Sequence, residues 1–289
     1  MSWLIGCALV AAGCDSGPGY SGPPPVVEFD SATMQVRLPL DQYGMVPEEE
    51  ALLGAARLVD YRNCMTAEGV DPSWLESDEF IADILTIGQE DLMPDWRFGF
   101  WNAGYVAEHG IEGPPPHDDA VLEPVSADHE AALEDPNSSF NQAWARCSDS
   151  GTVQFVWVGR GLISAKWAAL TNGFQESYDK AKDDPRRKKV AEEWFECVES
   201  KGYPRPEEFF YPLVPDDAPP EMEAKALLDD TICSDEIGAA KRLAQIEAEY
   251  QMDYIGEHEA ELVELQRRAR ELVAEAEKLV EDAGFSWPA

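Results

Sequence analysis

Apolar positions recur every three or four residues along much of this chain, and that period predicts helices. From Val46 to Gly69, Leu52, Ala56, Val59 and Asn63 trace one stripe, flanked by Leu53 and Ala55. Pro47 suits the first helical position, and Glu48, Glu49 and Glu50 complement the positive end of the helix dipole. Gly69 suits the position just past the helix end, where φ turns positive. The stretch "DDPRRKKVAEEWFECVESKG" repeats the design, with Asp184 as N-cap, Pro185 first and Gly202 last. From about Glu221 to Glu281 the chain reads as helical, with a break near Cys233. Ile255, Leu262, Leu265, Ala269, Leu272, Ala276 and Leu279 form a heptad seam. A helix from Ser234 to Ala283 would extend about 75 Å at about 1.5 Å per residue. The seam packs either on the chain's own helices or on a partner helix.

Other stretches are less periodic. "TMQVRLPL", Thr33 to Leu40, alternates like a short strand, which Pro39 confines to a sheet edge. "SDEFIADIL" and "SFNQAWARCSDSG" read as short helices. The run after Gly151 begins strand-like and continues as a helix to about Lys182, and Pro204 to Pro220 is a proline-rich loop.

The helical stretches contain a repeat. Cys64 has Tyr61 three residues before it and Gly69 five after; Cys197 has Trp194 and Gly202 in the same places. Each is followed by a second cysteine in a matching phrase, "ARCSDSG" at Cys147 and "TICSDEIG" at Cys233. Four cysteines allow three connectivities. The repeat favours pairing within each unit, Cys64 with Cys147 and Cys197 with Cys233. The expected fold is mainly α: a disulfide-stapled domain of two related units, a long C-terminal helix and at most a few short strands.

The N-terminus adds a compartment. Trp3 to Gly13 is apolar and uncharged, too short to span a bilayer but suited to an export signal. It resembles a bacterial lipoprotein signal, in which the cysteine after the cut is lipidated. Cys14 is favoured over Cys7, because a cut there leaves a longer apolar stretch and an even set of cysteines beside the lipidated one. The expected organisation is a signal over 1–14, a Gly/Ser/Pro tether over 15–32, a first unit over 33–151, a second over 152–233, and the long helix and tail over 234–289.

The 289 residues carry 57 acidic and 22 basic side chains, a formal net charge of −35. Such a surface repels phosphate backbones and argues against nucleic-acid binding. With 44% hydrophobic residues, a packed core is feasible.

Together "VRLPLDQYG", "YRNCMTAEGVD", "DWRFGFW", "DDPRRKKVAEEWFECVESKGYP" and "DDTICSDEIG" resemble a family of uncharacterised secreted proteins and lipoproteins of actinobacteria, over about Val36 to Leu279. The resemblance implies compartment and fold and carries no site residues.

Catalytic signals are sparse. No C-x-x-C pair points to zinc, no C-x-x-C-H to haem, and so acidic a chain disfavours a thiolate nucleophile. None of His109, His117, His129 and His258 sits in H-E-x-x-H; His258 with Glu261, and His117 with Asp118 and Asp119, are weak cation candidates. There is no G-x-S-x-G and no Gly-rich phosphate loop, and Ser164 and Lys166 are too close for S-x-x-K. No cofactor and no metal site is expected. Trp96, Arg97, Phe98, Phe100, Trp101 and Tyr105 fill core or form a ligand platform.

The sequence therefore points to an extracytoplasmic binding or interaction protein of the cell envelope. A lipid on Cys14 would anchor it at the outer face of the cell membrane, and the C-terminal helix offers a surface for an envelope protein partner. The alternative is a cell-envelope hydrolase using acidic residues.

Overall fold

A computed structural model describes residues 17–71, 77–90, 94–110, 134–150, 167–210, 213–215 and 217–287. The chain is mainly helical. Its described elements are strands β1 (Glu28–Asp30) and β2 (Gln35–Arg37), a 3-10 turn (Pro39–Tyr43), and helices α1 (Pro47–Ala67), α2 (Asp78–Glu90), α3 (Ala103–His109), α4 (Ser139–Ser150), α5 (Ala168–Asp183), α6 (Pro185–Ser200), α7 (Pro220–Glu236) and α8 (Ala239–Asp282). No described helix is long and apolar enough to cross a membrane.

Local chemistry explains the helix ends. Pro47 and Pro185 open α1 and α6, and Asp184 caps α6 by accepting the Arg186 N–H at 2.7 Å. Tyr250 on α8 donates to the same carboxylate at 3.1 Å, which ties that cap to the core. Past α1, Gly69 N–H donates to Thr66 and Val70 N–H to Met65; past α6, Gly202 donates to Glu199 and Tyr203 to Val198. Both ends are Schellman motifs, with glycine at φ +79° and +95°. Each also makes the motif's apolar contact, placing Val70 in the cluster of Met65 and Tyr203 in that of Val198.

The spine is α8, 44 residues long and so about 66 Å. Its first third is alanine-rich: Ala239, Ala240, Ala244 and Ala248 pack with Val36, Leu38, Phe98 and Val190. Its middle, Tyr254 to Ala269, packs on Leu40, Tyr43 and α5. At Gly173 on α5 an added Cβ would come within 2.6 Å of the Tyr254 ring, so glycine permits the approach that lets Tyr254 donate to the Ala169 carbonyl at 2.7 Å. Its last third, with Ala276 and Val280, packs on α1 and α2. The heptad seam thus faces the chain's own helices: Leu262, Leu265, Ala269 and Ala276 are buried, and Leu272 and Leu279 pack beside them.

Two expectations need correction. The boundary drawn after Cys233 falls inside α7, which continues to Glu236; the break lies at Gly238, whose φ of +63° no β-carbon opposes. The stretch read as a tether over 15–32 is docked along much of its described length. Gly19 N–H donates to Asp253 on α8 at 2.7 Å, and Glu28–Asp30 pairs antiparallel with Gln35–Arg37 as β1. Burial drives that pairing, since Val27 and Phe29 pack on the α8 cluster and Phe29 meets Trp101 edge-on at 5.0 Å. Cys14, the apolar run before it, the strand-like run after Gly151, His117, Asp118, Asp119, His129, Ser164 and Lys166 lie outside the described residues.

Candidate functional site

The four cysteines of the repeat meet within their units. Cys64 bonds Cys147 with Cα atoms 5.8 Å apart, and Cys197 bonds Cys233 with Cα atoms 5.7 Å apart. Each bridge joins the last turns of a glycine-ended helix to a later helix, α1 to α4 and α6 to α7. Beside the first, the Tyr61 and Trp144 rings meet at 4.6 Å. Beside the second, the fully buried Trp194 indole N–H donates to Asp230 at 2.7 Å. Burial pushes the Asp230 carboxyl up to about 7, although the Trp194 bond works the other way. Cys147 and Cys233 are buried, and the bridges' role is to hold helices together.

The aromatic segment divides into two groups. Phe98 is only 2% exposed, and Trp101 packs beside it in the α8 cluster, donating its indole N–H to the Asp95 carbonyl at 3.1 Å. Arg97 is held by the Asp95 carboxylate at 2.7 Å and donates to the Val36 carbonyl at 3.0 Å. Its guanidinium lies 5.4 Å from the centre of the Phe98 ring. These three residues are structural. Trp96, Phe100 and Tyr105 form a second, half-buried group, with Trp96 5.1 Å from Phe100 and 6.3 Å from Tyr105. Tyr105 continues to His109 at 4.8 Å, so the histidine extends this face. Asn102 caps α3 by accepting the Tyr105 N–H at 3.0 Å, which fixes the ring's root.

Beneath the aromatic segment lies a polar group that the sequence reading did not anticipate. Arg97 is flanked by three carboxylates, Asp95, Asp41 and Glu247. Asp95 binds the Arg97 side chain and also accepts the Arg97 N–H at 3.0 Å. Asp41 accepts the Leu38 N–H at 2.6 Å, and burial raises its carboxyl. Glu247 is 4% exposed and accepts the Gln251 amide N–H at 3.3 Å. Burial, with Asp95 and Asp41 as like charges and Arg97 opposing, pushes Glu247 up to about 7. Gln251 is fully buried and accepts the Leu40 N–H at 2.9 Å. The group therefore bolts the 3-10 turn to α8.

The cation candidate on α8 is modest. His258 Nδ1 lies 3.8 Å from Glu261, and its ring stacks on Tyr254 at 4.1 Å. Among the described residues no group of three or more His, Cys, Asp and Glu is placed to hold a metal ion. Comparisons with protein-family models, curated proteins and solved structures found no match.

Proposed function

We propose that this is an extracytoplasmic binding or interaction protein of the cell envelope, anchored at the outer membrane face by a lipid on Cys14. The observation that carries the compartment is the pair of disulfides, since such bridges persist in oxidising surroundings and are rare in the cytosol. The lipoprotein-like leader and the resemblance to secreted actinobacterial proteins support the anchor. The contact of Gly19 with Asp253 adds an orientation. Gly19 lies five steps along the chain from Cys14, which extended chain spans in at most about 18 Å. An acyl group at Cys14 would therefore keep the Asp253 face of α8 close to the headgroups. The binding surface we favour is the half-buried group Trp96, Phe100, Tyr105 and His109, which offers ring faces to a glycan or peptide. A protein partner along α8 would use residues outside the seam, such as the exposed Val263.

The hydrolase reading has less behind it. Of the carboxylates gathered at Arg97, Asp95 is committed to that arginine, Asp41 to a backbone N–H, and Glu247 is buried.

The test is fractionation of an actinobacterial host expressing the full chain, with mass spectrometry of the N-terminal peptide and thiol counting before and after reduction. We expect a membrane-bound, acylated product without free thiols, and a released C14S variant. A soluble cytosolic product that keeps residues 1–13 and reacts with thiol reagents without reduction would overturn the reading.

A further inference from the structure

We propose that Glu247 holds a proton in the folded protein and that losing it unlatches the segment from Val36 to Tyr43 from α8, making this joint a pH-sensitive switch. Asp41, Asp95 and Glu247 lie around the Arg97 guanidinium, which Asp95 already engages from two residues away, and Arg37 faces Asp41. The titratable and charged groups facing Glu247 are Asp41 from the 3-10 turn and Asp95 and Arg97 from the segment after α2. With all of them ionised, and Arg37 beside Asp41 counted, one negative charge stays uncompensated, and Glu247, 4% exposed, is the most buried of the three carboxylates. A proton on Glu247 removes that charge.

The geometry makes Glu247 the responsive member. Asp95 is paired directly with the Arg97 guanidinium, and Asp41 accepts the Leu38 N–H at 2.6 Å, which opposes the rise that burial gives its carboxyl. Among the described residues Glu247 has only the long bond from Gln251, and its raised carboxyl, about 7, agrees with that. Gln251 transmits the change: its amide N–H touches Glu247, while its oxygen holds the Leu40 N–H. Hydrating an ionised Glu247 means drawing α8 and the 3-10 turn apart at that pair.

The test is amide exchange at Leu40 in the disulfide-intact protein between pH 6 and 8. A carboxyl near 7 when closed and near 4.5 when open lowers protection about tenfold more than intrinsic exchange chemistry accounts for. E247Q, which keeps a neutral side chain of the same shape, should abolish that excess; D230N, whose carboxylate serves Trp194 between α6 and α7, should leave it. An unchanged protection factor in the wild type, or the same excess in E247Q, would overturn the proposal. Should E247Q not fold, the carboxyl 13C shift of Glu247 in the wild type decides: an inflection at pH 6 or above supports it, and one below 6 ends it.

Discussion

The two disulfide units place the same parts in the same order and fill one position differently. Three residues before the first cysteine of each unit stands an aromatic ring, Tyr61 or Trp194; three before the second stands its neighbour, Trp144 or Asp230. In the first unit two rings meet edge to face, and Trp144 remains 42% exposed. In the second the indole is fully buried and its N–H needs an acceptor, which Asp230 supplies from inside the core. A shared scaffold can thus carry an apolar contact insensitive to pH or a polar one that stores a proton.

The largest test of this comparison is to remove each bridge. The loops closed span 83 and 36 residues in sequence. In the chain-entropy model they are worth roughly 4.5 and roughly 4 kcal/mol. Paired Cys→Ala variants should therefore both unfold at clearly lower denaturant, the Cys64/Cys147 pair slightly more so. A Cys197/Cys233 pair that costs nothing in a urea titration would show that α6 and α7 are held by packing alone.

The second test separates the units by pH. Asp230 titrates at about 7 when folded, pushed up by burial, against 3.8 ordinarily. Between those values the folded chain keeps a proton that the unfolded chain releases. Its contribution is complete below about 4 and is lost as pH rises through 7. The loss is on the order of 2–4 kcal/mol. D230N, which mimics the protonated acid, should flatten the fall between pH 4 and 7, whereas W144F in the first unit should leave it. Equal pH dependence in wild type and D230N, read from urea midpoints, would remove the distinction.

What was legible in the sequence follows the range of the interactions. Proline, capping Asp184 and the terminal glycines act over a few residues, so the ends of α1 and α6 could be read directly. The cysteine pairing was legible because a repeated phrase stood in for distance. β1 was missed because Phe29 finds its reason in Trp101, far along the chain. The joint at Glu247 was missed because its members come from three separate stretches of a chain with 57 acids. One signal was available. Leu243, Glu247, Gln251 and Tyr254 follow helical spacing, so two polar residues sit on a stripe that otherwise belongs to the core. The break lies five residues past Cys233, at the "IG" after α7, where only glycine takes the positive φ without strain.

The smallest test asks whether the units are alike where they look alike. Gly69 and Gly202 both sit at positive φ after a Schellman turn, and a β-carbon added at either would meet nothing within 4 Å. Neither site involves a clash, so the cost of alanine is that of the backbone conformation alone, about 1 kcal/mol at each. G69A and G202A should therefore lower the urea midpoint by the same small step, and the double variant by their sum, since the two helix ends belong to separate clusters. A G202A loss several times that of G69A would mean that the second helix end also positions Tyr203, whose hydroxyl donates to Asp229 at 2.8 Å. The second unit would then be a polar assembly throughout, with Asp230 as one part of it.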